Sequence, residues 1–184
     1  MHSLLRISQA IDRINNRIGV LLSWLVLIMV LVGVYNAVTR KLSHAIGVDL
    51  SSNMYIEAQW YLFSLVFLWA GAYALRNGVH VRVDVIYSRL SAKSKAWIDT
   101  LGTLLFLLPL CVLVLWVSTP YALDSWRILE GSPDPGGLPR YLIKSAIPVG
   151  FLLLLLQGLA ELVRNVAVLR SVLSVEHGQT EAPL

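Results

Sequence analysis

The sequence predicts an all-α integral membrane protein. Four transmembrane helices are joined by short loops, amphipathic interfacial helices lie beside them, and the N and C termini are both cytoplasmic. Three observations carry this prediction. Hydrophobic residues make up 57% of the 184 and charged residues only 14%, with a mean hydropathy of +0.68, against about 25% charged in a soluble domain. The charges are segregated, leaving four long apolar runs, each near the roughly 20 residues that cross a hydrocarbon core of about 30 Å. Lys and Arg are also split unevenly between alternate loops.

The first span is Ile18–Val38, 21 residues without a charge. It is too long for a signal-peptide core and runs into Val-Thr-Arg-Lys rather than a small-residue cleavage site, so it is expected to remain as an anchor. The second, Ala58–Leu75, is opened by Glu57 and closed by Arg76. The third runs from Ala96 to about Tyr121, and the fourth from about Ser145 to Val163 with a helical extension to Leu169. Trp60 and Tyr61, Trp69 and Tyr73, Trp97, and Trp116 with Tyr121 bracket these runs, where rings with one polar edge settle at headgroup level. Trp69 and Tyr73 also suit helix–helix contacts.

One side of the membrane collects Arg6, Arg13, Arg17, Arg76, Arg82, Arg89, Lys93, Lys95, Arg164 and Arg170; the other holds Arg40, Lys41, Arg127, Arg140 and Lys144. The positive-inside rule makes the ten-residue side cytoplasmic.

Residues 1–17 form an amphipathic N-terminal segment. Leu4, Ile7, Ile11, Ile14 and Ile18 recur at steps of three and four, with Arg6, Asp12, Arg13 and Arg17 opposite, which predicts a short helix on the inner membrane surface or against a partner. In the 77–95 loop, Val79, Val81, Val83 and Val85 alternate with His80, Arg82 and Asp84, a strand-like period. A lone strand is not viable at a membrane surface. The preferred reading is an interfacial helix over about 83–90, with Ser91 capping the next helix. The loops 40–56 and 122–144 are too short to form domains, and Gly131–Pro139 is rich in turn residues. Residues 170–184 are expected to be a flexible cytoplasmic tail, loose from Val175 onward.

Several function classes are excluded. The net charge of +4 and pI near 9.4 are accounted for by loop cations, without the aromatic interleaving of a nucleic-acid surface. Cys111 is the single cysteine, and His2, His44, His80 and His177 all lie outside the spans. No metal site, haem ligation or other cofactor is therefore expected. No phosphate loop or nucleophile–base pair is visible, so the chain is not expected to be an enzyme.

Polar groups within spans are functional candidates by default. Asn36 in the first span is read as a hydrogen bond between helices, and Asp99 as reaching headgroups or Lys95. Gln157, the deepest polar group of the fourth, suits helix glue or a path lining. Glu161 and Arg164, one turn apart, form a structural pair. Ala70, Ala74 and Gly78 place small residues on one face of the second helix. Pro109 is expected to bend the third helix, and Pro148 to be tolerated near the start of the fourth.

The stretch from Glu57 through Gly71 into Asn77-Gly-Val-His-Val-Arg-Val-Asp84, and the closing Leu138-Pro139-Arg140 through Ile147-Pro148-Val-Gly-Phe151 with Gln157, resemble the small permease (DctQ-type) subunit of tripartite ATP-independent periplasmic (TRAP) transporters. The resemblance covers roughly residues 10–170. It implies a scaffold in the bacterial inner membrane for a large permease subunit that moves organic acids with sodium, delivered by a periplasmic binding protein. On that expectation Ala70, Ala74, Gly78, Asn36 and Gln157 face the large subunit. His80, Arg82, Asp84 and Arg89 brace the inner interface against membrane lipids, and Arg40, Lys41, Arg127 and Arg140 meet the binding protein. A small homo-oligomeric transporter or channel, and a membrane anchor of a redox complex, are the alternative readings.

Overall fold

The computed structural model describes residues 2–47, 52–79 and 90–180, with side chains to Leu169. Among them every regular element is helical: α1 His2–Ile46, α2 Asn53–Arg76, α3 Ala92–Gly102, a wide π-turn Thr103–Leu107, α4 Leu108–Arg127 and α5 Arg140–Thr180. Four stretches, Leu4–Ile46, Asn53–Arg76, Lys93–Arg127 and Arg140–Leu169, are long and apolar enough to cross a membrane. In a medium without water the backbone must bond to itself, and continuous helices do this. Span hydroxyls follow the same rule: Ser23, Thr39 and Ser64 each donate to the carbonyl four residues back.

Helix α5 packs against all the others, while α1 packs on α2 and α5. The starts of α1 and α3 and the lower part of α5 share one end of the bundle, the tail end. The 128–139 loop closes the opposite, loop end.

The N-terminal segment differs from expectation. Residues 2–17 are not a separate surface helix but the first turns of α1, which runs unbroken for 45 residues, about 67 Å. Its apolar stripe faces outward, away from the rest of the bundle. Leu4, Ile7 and Ile14 are exposed, whereas Ser8, Asn15, Gly19 and Leu22 are buried. Between membrane helices there is little hydrophobic driving force, so small and polar residues win the interface and aliphatic ones face outward. Glycines serve the same end elsewhere. A Cβ on Gly150 would stand 2.9 Å from the Leu68 carbonyl oxygen and 3.1 Å from Trp69 Cδ1. Backbone cannot yield as a side-chain tip does, so Gly150→Ala is expected to separate α2 from α5. The loss should be roughly 1–2 kcal/mol, read as a lower melting temperature in detergent.

The expected bend at Pro109 takes the form of a π-turn just before it, where Leu108 N–H donates to Thr103 O, five residues back. A proline removes one intrahelical bond and crowds the preceding turn, and widening that turn accommodates both. It also adds one residue to the pattern. Buried Ala96 and Thr103 are seven apart, as are buried Cys111 and Ser118, but Thr103 and Cys111 are eight apart. Pro148 lies eight residues inside α5, because that helix begins at Arg140 and not near Ser145. α5 likewise continues to Thr180, where a loose tail had been expected; no proline interrupts it before Pro183.

Helix ends are well defined. Ser91 caps α3, accepting from Ser94 N–H. α2 closes with Val79 N–H donating to Ala74 O and Gly78 N–H to Leu75 O, Gly78 taking a φ of +63°. That motif favours glycine, so Gly78 terminates the helix instead of extending a small-residue face. The same motif ends α4, with Glu130 N–H on Ser125 O and Leu129 N–H on Trp126 O. Here the left-handed position holds Leu129, φ +46°, its side chain 66% exposed. Leu129→Gly is expected to stabilise the protein by roughly 0.5–1 kcal/mol, raising the melting temperature by a few degrees.

Candidate functional site

Polar side chains within the bundle gather into two knots, one at the start of α5 and one toward the tail end of its membrane-spanning part. The tail-end knot starts from the buried stripe of α1. Asn15 Nδ2 donates to Gln157 Oε1 at 2.6 Å, and Gln157 Nε2 donates to Asp12 Oδ1 at 2.9 Å. Arg164 bridges Asp12 and Glu161 with two nitrogens, Nη1 to Asp12 Oδ2 and Nη2 to Glu161 Oε2. Arg76, from the last turn of α2, places Nε 3.9 Å from Asp12 Oδ1. Ser8 Oγ donates to Ala160 O at 3.2 Å. Two carboxylates face two guanidinium groups, so three helices are joined by a cluster of zero net charge. Neutrality and paired carboxylates are what a partly buried charge cluster needs to persist, although the buried Asn15 Oδ1 has no hydrogen-bond partner among the described residues.

The loop-end knot is built on Glu57, 3% exposed in the second turn of α2. Its carboxylate accepts from Ser132 Oγ and from Leu138 N–H, with Arg140 Nη2 4.0 Å away. Tyr61, one turn further, donates to the Leu138 and Pro139 carbonyls at 3.3 and 3.2 Å. Asn53 Nδ2 donates to Pro135 O at 3.1 Å. Beside them, Lys144 donates to Glu130, which also accepts from Ser125 Oγ at 2.7 Å. The Lys144 ammonium beside Glu130 holds its carboxyl below the ordinary carboxylate range. A depressed carboxyl contributes stability above its unfolded value, near 4.5, that is lost only as pH falls through the lower folded value. The 128–139 loop, though rich in glycine and proline, is thus pinned at both ends. This knot too pairs two carboxylates with two cations.

Between the knots the spans carry no charge. α1 has none from Ile18 to Thr39, α2 none from Ala58 to Leu75, the third span (α3 through α4) none from Thr100 to Leu123, and α5 none from Ser145 to Ala160. Among the described residues no group of three His, Cys, Asp or Glu is arranged to hold a metal ion.

The structure sorts the residues singled out above. Gln157, 0% exposed, is internal glue between α1 and α5 and presents nothing to a partner. Gly78 leaves the small-residue set for the reason given. Ala70 and Ala74 are half-buried on α2, while the fully buried small residue of that helix is Ala72. Asn36 is half-buried, and its Oδ1 meets no hydrogen-bond partner among the described residues. The expected bond between helices is therefore not made at that oxygen. Arg40 and Lys41 are exposed. Arg127, also exposed, pairs with Asp124 at 2.8 Å, and Arg140 is drawn into the Glu57 knot. His80, Arg82, Asp84 and Arg89 lie outside the described residues, as does the 83–90 helix. Glu161 and Arg164 do pair, but Arg164 serves Asp12 equally. Trp69 Nε1 donates to Ala146 O at 3.1 Å, and the Tyr73 ring lies against Gly19, so both rings make helix–helix contacts.

Sequence reasoning missed Asp12 and Asn15 as members of a site, and Glu130 with Lys144 as a pair. The first two had a signal. Ser8, Asp12, Asn15, Gly19 and Leu22 recur at steps of four and three, an unbroken stripe leading into a span. The Glu130–Lys144 pair had none, because a turn-rich loop separates its members.

The family model "Tripartite ATP-independent periplasmic transporters, DctQ component" matches residues 29–168, which takes in part of the first span, the second and third spans, nearly all of the fourth and the loop-end knot. The chain belongs to the DctQ family. Comparison with curated proteins and with solved structures finds no match. The DctQ assignment makes this multi-pass membrane protein the small component of a TRAP transporter, a family of transporter components and not of enzymes.

Proposed function

We propose that this DctQ protein is a static scaffold in the bacterial inner membrane, with both termini cytoplasmic. It holds the large permease subunit in place during sodium-coupled uptake of organic acids delivered by a periplasmic binding protein. One observation carries the reading: two charge-neutral knots clamp the membrane-spanning part of α5 to its neighbours toward both of its ends, with no Asp, Glu, Lys or Arg of the spans between them. A transporter that shifts one body past another needs a second body that does not deform, and clamps at two levels, with Lys144 and Arg164 20 residues apart along α5, resist shear. Arg140 and Lys144 at one end, and Arg164 at the other, sit where such a clamp works best.

Ala70, Ala74 and Asn36 remain the residues offered to the large subunit. Arg40, Lys41 and Arg127, with the pinned 128–139 loop, are offered to the binding protein. His80, Arg82, Asp84 and Arg89 are offered to the membrane surface. The test is co-purification from membranes with an affinity tag on this chain, paired with uptake in proteoliposomes. The reading expects the large permease subunit in the eluate and uptake only when all three components are present. Uptake by this chain alone would refute it.

A further inference from the structure

Beside the loop-end knot, a groove of about 370 Å³ runs between α2 and α5. Trp60, Phe63 and Phe67 line one side and Arg140, Lys144 and Ile147 the other, with Tyr121 of α4 closing the top. Both helices run away from the loop end, so the groove has a charged mouth and an apolar floor. Seven residues, about 10 Å, separate Trp60 from Phe67.

At the mouth, the Arg140 guanidinium lies 5.9 Å over the Trp60 ring and Lys144 Nζ lies 4.1 Å over the Tyr121 ring. The carboxylates that balance them, Glu57 and Glu130, do not line the groove. Its wall therefore shows two cations while the opposite charge lies behind them. Arg140 is one-third exposed there, and its Nε has no hydrogen-bond partner among the described residues. Down the floor, the rings of Phe63 and Phe67 stack at 6.2 Å with 17° between planes, Phe67 being 70% exposed. They make a flat rail parallel to the helix axis.

We propose that this groove holds an anionic phospholipid, its phosphate between Arg140 and Lys144 and one acyl chain along the Phe63–Phe67 rail. Charge-assisted hydrogen bonds from Arg and Lys to phosphate are strong and work alike at either face of a bilayer, as in the basic headgroup pockets known from the cytoplasmic side of membrane helices. A soluble phosphate or carboxylate would use the cations and leave the rail bare. An apolar helix of another subunit would cover the rail and bring no charge to the mouth. An amphiphile matches both ends at the spacing observed.

The test uses the delipidated full-length chain in a neutral detergent, with bound mass followed by native mass spectrometry. Phosphatidylglycerol, phosphatidylcholine with the same acyl chains, and glycerol 3-phosphate are titrated separately and in competition. One phosphatidylglycerol should be retained, with phosphatidylcholine about tenfold weaker and glycerol 3-phosphate unable to displace it. K144Q and R140Q should bring the two lipids to equal affinity. F67A, on an exposed ring, should keep the wild-type melting temperature without lipid yet weaken phosphatidylglycerol about tenfold. Should either cation variant fail to fold, F67A and the headgroup comparison still decide. Equal affinity of the wild type for both lipids, displacement by glycerol 3-phosphate, or undiminished binding in F67A would each overturn the proposal.

Discussion

Arg164→Leu is expected to lower the unfolding free energy by roughly 2–3 kcal/mol, the larger part of it from two carboxylates left without a cation. Arg164 alone bridges Asp12 on α1 to Glu161 on its own helix. Arg76, 3.9 Å from Asp12 and held by α2, cannot replace it for both acids. The figure lies below that for a fully buried pair because all three side chains keep 18–31% of their exposure. Thermal unfolding in detergent, followed by tryptophan fluorescence, measures the loss. Adding Asp12→Asn and Glu161→Gln to Arg164→Leu should recover much of it, since the stranded charges go while Gln157 keeps an amide partner. A triple variant no more stable than the single one would show that the damage came from lost packing. Capture of the large subunit should fall with stability in this series, because α1 is freed from α5.

Glu57→Ala is expected to have a comparable effect, about 3 kcal/mol, with a different signature. The Glu57 carboxylate is the shared acceptor for Ser132 Oγ and Leu138 N–H and the nearest anion to Arg140. Without it a backbone donor and a guanidinium are stranded beside apolar spans. The 128–139 loop should come loose before the helices do. Limited proteolysis should therefore cut near Asp134–Gly137 in Glu57→Ala under conditions that leave the wild-type loop whole. Glu57→Gln, which keeps one acceptor, should fall between them. A loop equally resistant in Glu57→Ala would mean that Tyr61 and Asn53 hold it unaided.

The four spans and their family were legible because membrane insertion reads bulk apolar length, which is a local property of the chain. What was not legible came from packing. The apolar stripe of Leu4, Ile7 and Ile14 was legible, and it faces outward; the opposing stripe of Ser8 and Asn15, which carries the contact with α5, was not, because between membrane helices small and polar residues make the interface. Glu57 read as a charge at a membrane edge; its burial depends on Ser132 and Leu138, more than 70 residues along the chain. Gly78 was grouped with Ala70 and Ala74 by spacing alone, although its positive φ, a backbone property, sets its role. Gln157 was read as helix glue or a path lining and set facing the large subunit; it is buried inside the chain, and its partners, Asn15 and Asp12, lie in a segment read as peripheral.

The widened turn at Thr103–Leu107 has a consequence for how this chain tolerates change in length. Because it carries one residue more than a regular helix would, the small residues before and after it point at the same neighbour. Removing one residue there would let the wide turn close into an ordinary one, leaving Thr103 and Cys111 seven apart like the other pairs and keeping Cys111, Ser118, Ala122 and Ser125 on α5. A deletion elsewhere in the same span has no such turn to absorb it and would rotate everything beyond it by about 100°. The helix thus carries one residue of slack at a point where a hydropathy plot records only a featureless apolar stretch.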